Sequence, residues 1–173
     1  MVQNIRVIGT GQLLELSARL RRAGHENIRS SFHRRIRRAA EPLRNDLQDA
    51  IRHLDIRSQG RGSGKRGGRS PTTRPLRATI AEAIRISVRT TGDPGARVWV
   101  DKSRLPRDLK RMPDVINDGP PPGRIRHPVF GNKKRWANQY VTPFWWDRTV
   151  RSHHDRITRE VGRVVDDVRR HLE

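Results

Sequence analysis

Cysteine is absent from this chain of 173 residues. Without a thiol there is neither a disulfide nor a thiolate metal site, and the composition fits a reducing cytoplasm. Hydrophobic residues amount to 32% and aromatic residues to 5%, so we expect a modest core. No stretch approaches the ~20 apolar residues that cross a bilayer, and the first residues lack the apolar run of a signal peptide. These absences predict a soluble protein with no membrane partner.

Negative charge is the second shortage. The chain holds 38 lysines and arginines against 18 acidic residues, which gives a formal net charge of +20. A small domain with this much charge of one sign repels itself unless the charge is spread along an elongated body or met by anions. The anions expected for such a chain are nucleic acid, an acidic protein or a membrane surface.

A single helical pattern runs from Gln12 to Leu54. Apolar or small residues recur there at spacings of three or four, which places them on one face of a helix. Arginines occupy the opposite face. Pro42 lacks a backbone N–H and disfavours helix at Glu41, so we expect a kink or a break there. A helix of this length would extend for roughly 60 Å and would suit an interface between subunits.

The clearest β pattern is a hairpin at residues 84–100. Ile84, Ile86 and Val88 alternate with polar residues, as in a half-buried strand. The sequence Gly92-Asp93-Pro94-Gly95 then predicts a type II turn, in which Pro94 takes the second position and Gly95 the third. A returning strand follows this turn, and the hairpin is expected to form the basis of a small antiparallel sheet.

Residues 101–143 contain seven prolines and are predicted to be irregular. A final helix is expected at residues 144–172, with Thr142 as its N-cap and Pro143 in its first turn. The apolar stripe of that helix includes His154. Together with the long first helix and the hairpin, these elements predict a single α+β domain.

Residues 57–75 are rich in glycine, serine and basic residues and contain no large apolar or acidic side chain. Such a segment cannot offset its ordering entropy through burial and is predicted to be a flexible loop. It would contact DNA or an acidic protein through its basic side chains, or else remain a solvated loop. The residues predicted for that contact are Arg61, Lys65, Arg66, Arg69 and Arg74.

The sequence contains no motif that supports catalysis. The glycine-rich loop lacks the spacing and the hydroxyl residue of a phosphate-binding loop. His153 and His154 are adjacent, so on a helix they point about 100° apart and do not share a metal easily. Asp166 and Asp167 lie among arginines, where ion pairing explains them. We therefore predict no enzyme activity, no cofactor and no metal ion.

Most of the aromatic residues are concentrated near the start of the last helix. Such a concentration indicates either local core packing of that helix or a contact surface between subunits, because tryptophan and arginine are enriched at binding hot spots. The residues predicted for a subunit interface are His127, Pro128, Val129, Phe130, Trp136, Trp145 and Trp146.

A resemblance to a known family rests on the same region and on the flanks of the hairpin. The residues that carry it are 124–132 (Arg-Ile-Arg-His-Pro-Val-Phe-Gly-Asn), Trp136, Gln139, Pro143 and Phe144, with Leu76–Ala81 and Ser103–Pro106. They resemble the head–tail joining, or tail-completion, proteins of long-tailed bacteriophages and prophages. The order of long basic helix, basic loop, hairpin, proline-rich segment and C-terminal helix is similar to the same family.

This resemblance implies a small α+β protein that forms a six-fold ring in the neck, between the head and the tail of the virion. Such a ring would cap the tail tube, dock onto the head connector and surround the DNA channel. The implied partners are further copies of the chain, neighbouring neck and tail-tube proteins, and packaged DNA bound without sequence preference. The implied location is the virion, after assembly in the bacterial host cytoplasm.

Two alternatives stay open at this point. The tail terminator of the same neck shares a broad architecture with tail-completion proteins, and the resemblance does not separate the two. A non-specific nucleic-acid-binding protein would also account for the net charge. A dedicated binder, however, would concentrate its arginines on one helix or one aromatic platform. Here they are spread over helices, loop and strands, which favours the structural role.

Overall fold

A computed structural model describes residues 3–8, 15, 18, 26–58, 75–90, 95–129 and 132–170. Its helices are α1 (Glu26–Arg52), α2 (Leu76–Glu82), α3 (Met112–Asp118) and α4 (Trp145–Arg170), with a 3-10 turn at Lys102–Arg104. Its strands are β1 (Asn4–Ile8), β2 (Ile56–Ser58), β3 (Ile84–Arg89), β4 (Gly95–Val100), β5 (Arg124–Val129) and β6 (Asn132–Val141). The predicted α+β class is confirmed. Within these ranges, no helix has the length and apolar character that crossing a membrane requires.

Helix α1 continues through Pro42, so a break at this position is wrong. A proline inside a helix costs about 3 kcal/mol through a lost hydrogen bond and a steric clash. The apolar face of α1 offsets that cost, because it is buried from Phe32 to Ile51 and includes Leu43, the residue next to the proline. Tertiary packing of this face therefore decides the helix. The predicted start at Gln12 falls outside the described residues.

The predicted hairpin is confirmed, and it belongs to a three-stranded antiparallel sheet in the order β1-β4-β3. Ile84 lies opposite Val100 and Ile86 lies opposite Val98, so the apolar residues of both strands share one face. That face packs against α1, and Val98 is fully buried there. The turn at residues 91–94 lies outside the described residues.

A second three-stranded antiparallel sheet, in the order β2-β6-β5, replaces much of the segment predicted to be irregular. The prolines there lie where they do not interrupt an element. Pro113 is in the first turn of α3, and Pro143 falls between β6 and α4. Pro128 is in β5, an edge strand, opposite Trp136. An edge strand tolerates proline because the missing N–H is not needed for the ladder.

The predicted basic loop is shortened at its start by β2. Arg57 and Ser58 pair with Tyr140 and Gln139 of β6, so backbone hydrogen bonding orders the first two residues of the predicted loop. At the other end, Pro75 is the N-cap residue of α2. Residues 59–74 lie outside the described residues, and their flexibility stays a prediction.

The last helix begins at Trp145, directly after Phe144, whose φ is 59°. The carbonyl of Phe144 accepts the backbone N–H of Arg148 at 2.9 Å, so Phe144 occupies the N-cap position. Thr142 is therefore not the N-cap, contrary to the prediction.

Helix α4 packs against α1 through a face that includes Ile157 and Val164. His154 was predicted to lie in this face, but it is exposed, and its neighbour His153 is buried. His153 Nε2 lies 2.6 Å from Oδ2 of Asp46 on α1. This pairing across the two helices gives one nitrogen of the buried ring a polar partner.

Candidate interaction surface

A groove of about 530 Å³ lies between α1 and α4. Arginines dominate its lining. Arg35 Nη1 lies 2.5 Å from Asp167 Oδ2, and Arg163 Nη1 lies 2.9 Å from Glu160 Oε1. Among the described residues, none of those that line the groove is a serine, cysteine or histidine. Across the described ranges, no group of three potential ligands could hold a metal ion. The groove is therefore a gap between two helices with both apolar and charged walls, in which ion pairs neutralise part of the charge.

Trp145 and Trp146 are 2% and 4% exposed, in the core of the single chain. Their rings meet edge to face with centroids 5.7 Å apart, a favoured arrangement for packed aromatic side chains. These two residues therefore do not face a neighbouring subunit, and their prediction as interface residues is wrong. The physical reason is that α4 presents its first turn to the core, on the side that packs against α1 and α3.

The other predicted contact residues are divided between the surface and the part of the chain outside the description. His127 and Trp136 are both exposed. For Pro128 and Val129 the described part is the backbone of β5, and Phe130 lies outside the described residues. The predicted anion contacts also lie outside them; they are Arg61, Lys65, Arg66, Arg69 and Arg74.

The outward face of the second sheet brings exposed aromatic and basic side chains together. Alternate residues of a strand share a face, and Trp136 and Tyr140 on β6 are 46% and 43% exposed. On the inner face, Ile125 and Val141 are buried. We call the outer surface the basic sheet face. It comprises Arg57, Arg124, Arg126, Lys134, Trp136, Asn138 and Tyr140.

Contacts between strands position the arginines of the basic sheet face. The guanidinium of Arg126 lies over the ring of Trp136, with its central carbon 4.7 Å from the ring centroid. Arg124 donates from Nη2 to Asn138 Oδ1 at 3.1 Å. A cation–π contact at an exposed site contributes about 0.5–1 kcal/mol. These contacts bias the arginines toward the sheet surface while their charge stays in solvent.

The basic sheet face has no carboxylate of its own. The three strands read IRS, RIRHPV and NKKRWANQYV, without aspartate or glutamate. Asp55 lies just before β2 and accepts a hydrogen bond from Arg57 Nε at 2.5 Å. Basic side chains within a Debye length of about 10 Å reinforce one another's field. This surface therefore attracts anions.

Sequence reasoning did not identify Arg57, Arg124, Arg126 or Tyr140 as site residues. Arg124 and Arg126 do alternate with Ile125, which is a strand pattern. The prolines on either side of this short alternation led to the prediction of irregular structure. Without β5 and β6, the arginines and aromatic residues had no common face.

Comparisons with known proteins do not assign a role to this chain. No protein-family model, no curated protein and no solved structure matches the chain.

Proposed function

We propose that the protein is a structural subunit of the neck of a long-tailed bacteriophage. In this role, copies of the chain form a six-fold ring that completes the tail and docks onto the head connector. The observation that carries the proposal is the location of the residues that resemble the neck family. Residues 124–129 and 132, with Trp136 and Gln139, belong to the paired strands β5 and β6, and Pro143 and Phe144 lead directly into α4. This part of the resemblance therefore lies in two adjacent strands and the segment that enters α4.

The exposed chemistry of these strands supports a role in assembly. Trp136 and Tyr140 are exposed, although only 5% of the residues in the chain are aromatic. Exposed aromatic side chains beside arginines are enriched at binding interfaces. The net charge of +20 suits a subunit that works next to DNA or next to acidic surfaces of neighbouring neck proteins.

A ring of identical subunits closes when each subunit presents two different faces. We assign one face to the exposed side of α1, which carries Arg34, Arg37 and Arg38. The other face is the side of the β5–β6 hairpin that carries His127, the exposed residue of the predicted interface that points away from the basic sheet face. With two such faces, the subunits can join head to tail.

The experiment is deletion of the gene in the phage or prophage that encodes it, followed by electron microscopy of the lysate. DNA-filled heads beside separate tails of normal length are expected for a tail-completion protein. Tails of abnormal length would instead assign the chain to the tail terminator of the same neck. Normal particles would overturn the neck role altogether.

Complementation supplies the matched control for this deletion. A plasmid copy of the wild-type gene should restore joined particles. A copy with Glu82→Ala, which changes an exposed residue at the end of α2 that belongs to neither proposed face, should restore them equally. Failure of the wild-type copy would show that the deletion affected a neighbouring gene.

A further inference from the structure

The basic sheet face offers more than positive charge. Its three strands contribute arginines from β2 and β5 on either side of β6, and β6 carries the two exposed aromatic rings. The register places Arg57 and Arg124 on opposite sides of Tyr140. Arg126 is one pleat further along β5 and covers part of Trp136. Basic side chains therefore flank a central row of aromatic rings.

The spacing of the two rings suits stacking against the bases of an extended strand. Trp136 and Tyr140 are four residues apart on one strand, which separates them by roughly 13 Å at about 3.3 Å per residue. Asn138 lies between them on the same face. Aromatic rings on a basic surface bind single strands because every base has a ring face to stack, whatever the sequence.

The charge of the face selects its occupant. Two copies of the chain would not bring their basic sheet faces together, because both faces are positive. An acidic patch on a second copy is also a poor match, because carboxylates such as Asp167 and Asp114 already pair with Arg35 and Lys102 of their own chain. A polyanion has neither limitation, and binding it releases counterions.

Duplex DNA has the negative charge that the basic sheet face attracts, but it does not offer unstacked bases to the two aromatic rings. Its bases are stacked and paired, and its grooves admit a helix or a narrow ribbon rather than the flat face of a sheet. Side chains on such a face would touch the duplex backbone alone, so the rings of Trp136 and Tyr140 would have no base to stack on. Unpaired bases supply the missing contact.

We propose that the basic sheet face is a binding site for single-stranded nucleic acid. Arg57, Arg124 and Arg126 contact phosphates along the strand, and Trp136 and Tyr140 stack on bases. This activity goes beyond the ring role and does not depend on it, since it belongs to the isolated chain. The deletion experiment and the binding experiment can therefore fail separately.

The test is fluorescence anisotropy of the full chain with a labelled deoxythymidine oligomer of about 12 nucleotides and with a duplex of the same length. We expect the oligomer to bind more tightly than the duplex at physiological salt. Trp136→Ala should weaken binding of the oligomer about tenfold, as loss of one stacked base would. Tyr140→Phe keeps the ring and should bind like the wild type, whereas Tyr140→Ala should not.

A charge-matched pair of variants separates the site from the net charge. Arg124→Ala with Arg126→Ala should reduce the dependence of log affinity on log salt by about 1.4, as expected for two lost phosphate contacts on a single strand. Arg151→Ala with Arg159→Ala removes the same charge from exposed positions of α4 and should leave affinity for the oligomer within about threefold, a loss that long-range charge alone explains.

Three outcomes would overturn the proposal. The α4 pair could weaken binding as much as the sheet pair, which would make net charge the cause. The duplex could bind as tightly as the oligomer, with no effect of Trp136→Ala, which would remove the stacking. The sheet variants could change the mass of the protein in solution and leave binding intact, which would make the face a contact between copies. Circular dichroism of each variant confirms that it folds.

Discussion

The side-chain oxygen of Asn117 accepts a hydrogen bond from the backbone N–H of Trp146 at 3.1 Å, across 29 positions of the chain. Asn117 lies in the last turn of α3 and is 4% exposed. The side-chain amide nitrogen of Asn117 donates to Asp147 Oδ2 at 2.8 Å. The backbone carbonyl of Asn117 accepts from the backbone N–H of Phe144 at 2.7 Å. A residue of one helix therefore caps the first turn of another, the role that an N-cap side chain normally has.

Replacing Asn117 with alanine should destabilise the whole fold. The substitution leaves the N–H of Trp146 buried without an acceptor, and we expect a loss of about 2–3 kcal/mol in the free energy of unfolding. Urea unfolding followed by fluorescence measures it. Asn45→Ala is the matched control, because Asn45 is exposed and pairs with the neighbouring Arg44 alone among the contacts described; its effect should stay within about 0.5 kcal/mol. Equal stability of the two variants would contradict the capping role.

Substitution by alanine should change the stability of the fold in opposite directions at two glycines. Gly123 precedes β5 with φ of 82°, and an added Cβ would lie 3.0 Å from the carbonyl oxygen of Val141. Gly123→Ala should therefore cost about 1–2 kcal/mol. Gly162 is inside α4 with nothing within 4 Å of an added Cβ. Gly162→Ala should raise stability by about 0.5–1 kcal/mol, because alanine is the better helix former.

Thermal unfolding of the two glycine variants is the measurement. If Gly123→Ala were as stable as the wild type, the turn before β5 would not require a positive φ. If Gly162→Ala were destabilised, the exposed side of α4 would be in contact with another part of the molecule at that position.

The tryptophans of the aromatic region should separate into two classes. Trp146 is 4% exposed and Trp136 is 46% exposed. Trp146→Ala should cost about 3–5 kcal/mol through lost burial and a cavity. Trp136→Ala loses its contact with Arg126 and should cost less than about 1 kcal/mol. Chemical unfolding of both variants measures the difference, and a large loss for Trp136→Ala would place that ring in the core.

The carboxyl group of Asp101 should titrate below its ordinary value. The hydrogen bond from the Ser103 hydroxyl is the main cause that lowers the pKa of Asp101 from 3.8, with help from the Ser103 N–H and from Arg104 and Arg85. The hydroxyl lies 2.6 Å from Asp101 Oδ1. Because the folded pKa is the lower one, this contact stabilises the 3-10 turn above pH 3.8 and is lost as the pH falls through the lowered pKa.

Ser103→Ala tests the cause directly. The variant should move the pKa of Asp101 up toward 3.8, as followed by NMR of the Asp101 carboxyl carbon during an acid titration. Ser152→Ala is the control, because the Ser152 hydroxyl donates to the carbonyl of Thr149 and not to a carboxylate. The same shift in both variants would mean that the hydrogen bond from the Ser103 hydroxyl is not what lowers the pKa of Asp101.

Much of the candidate site could not be read from the chain. The cluster of aromatic residues is evident in the sequence, but its members differ in burial, because Trp145 packs in the core and Trp136 is exposed. Arg57 and Arg124 are 67 positions apart, and only the pairing of both β2 and β5 with β6 brings them to one face. Such pairing depends on contacts between distant segments, which no local pattern records.

The features that local patterns determine are the ones that were predicted well. The repeat of apolar residues every three or four positions is sufficient for the buried face of α1, and alternation is sufficient for the hairpin of β3 and β4. Composition alone rules out thiol chemistry and determines the net positive charge. These properties depend on composition or on residues close together in sequence, so they can be predicted without knowledge of the fold.

Tertiary structure decided the rest, because it concerns groups that must satisfy one another across the molecule. Packing of its buried face carries α1 through Pro42. A side chain of α3 supplies the acceptor that starts α4, so a local cap at Thr142 is not needed. An edge position lets Pro128 remain inside a strand. In the first two cases a distant group offsets a local cost of a few kcal/mol or less, which is within the range that burial of a core contributes. In the third case the strand order of the sheet removes the need for the missing N–H.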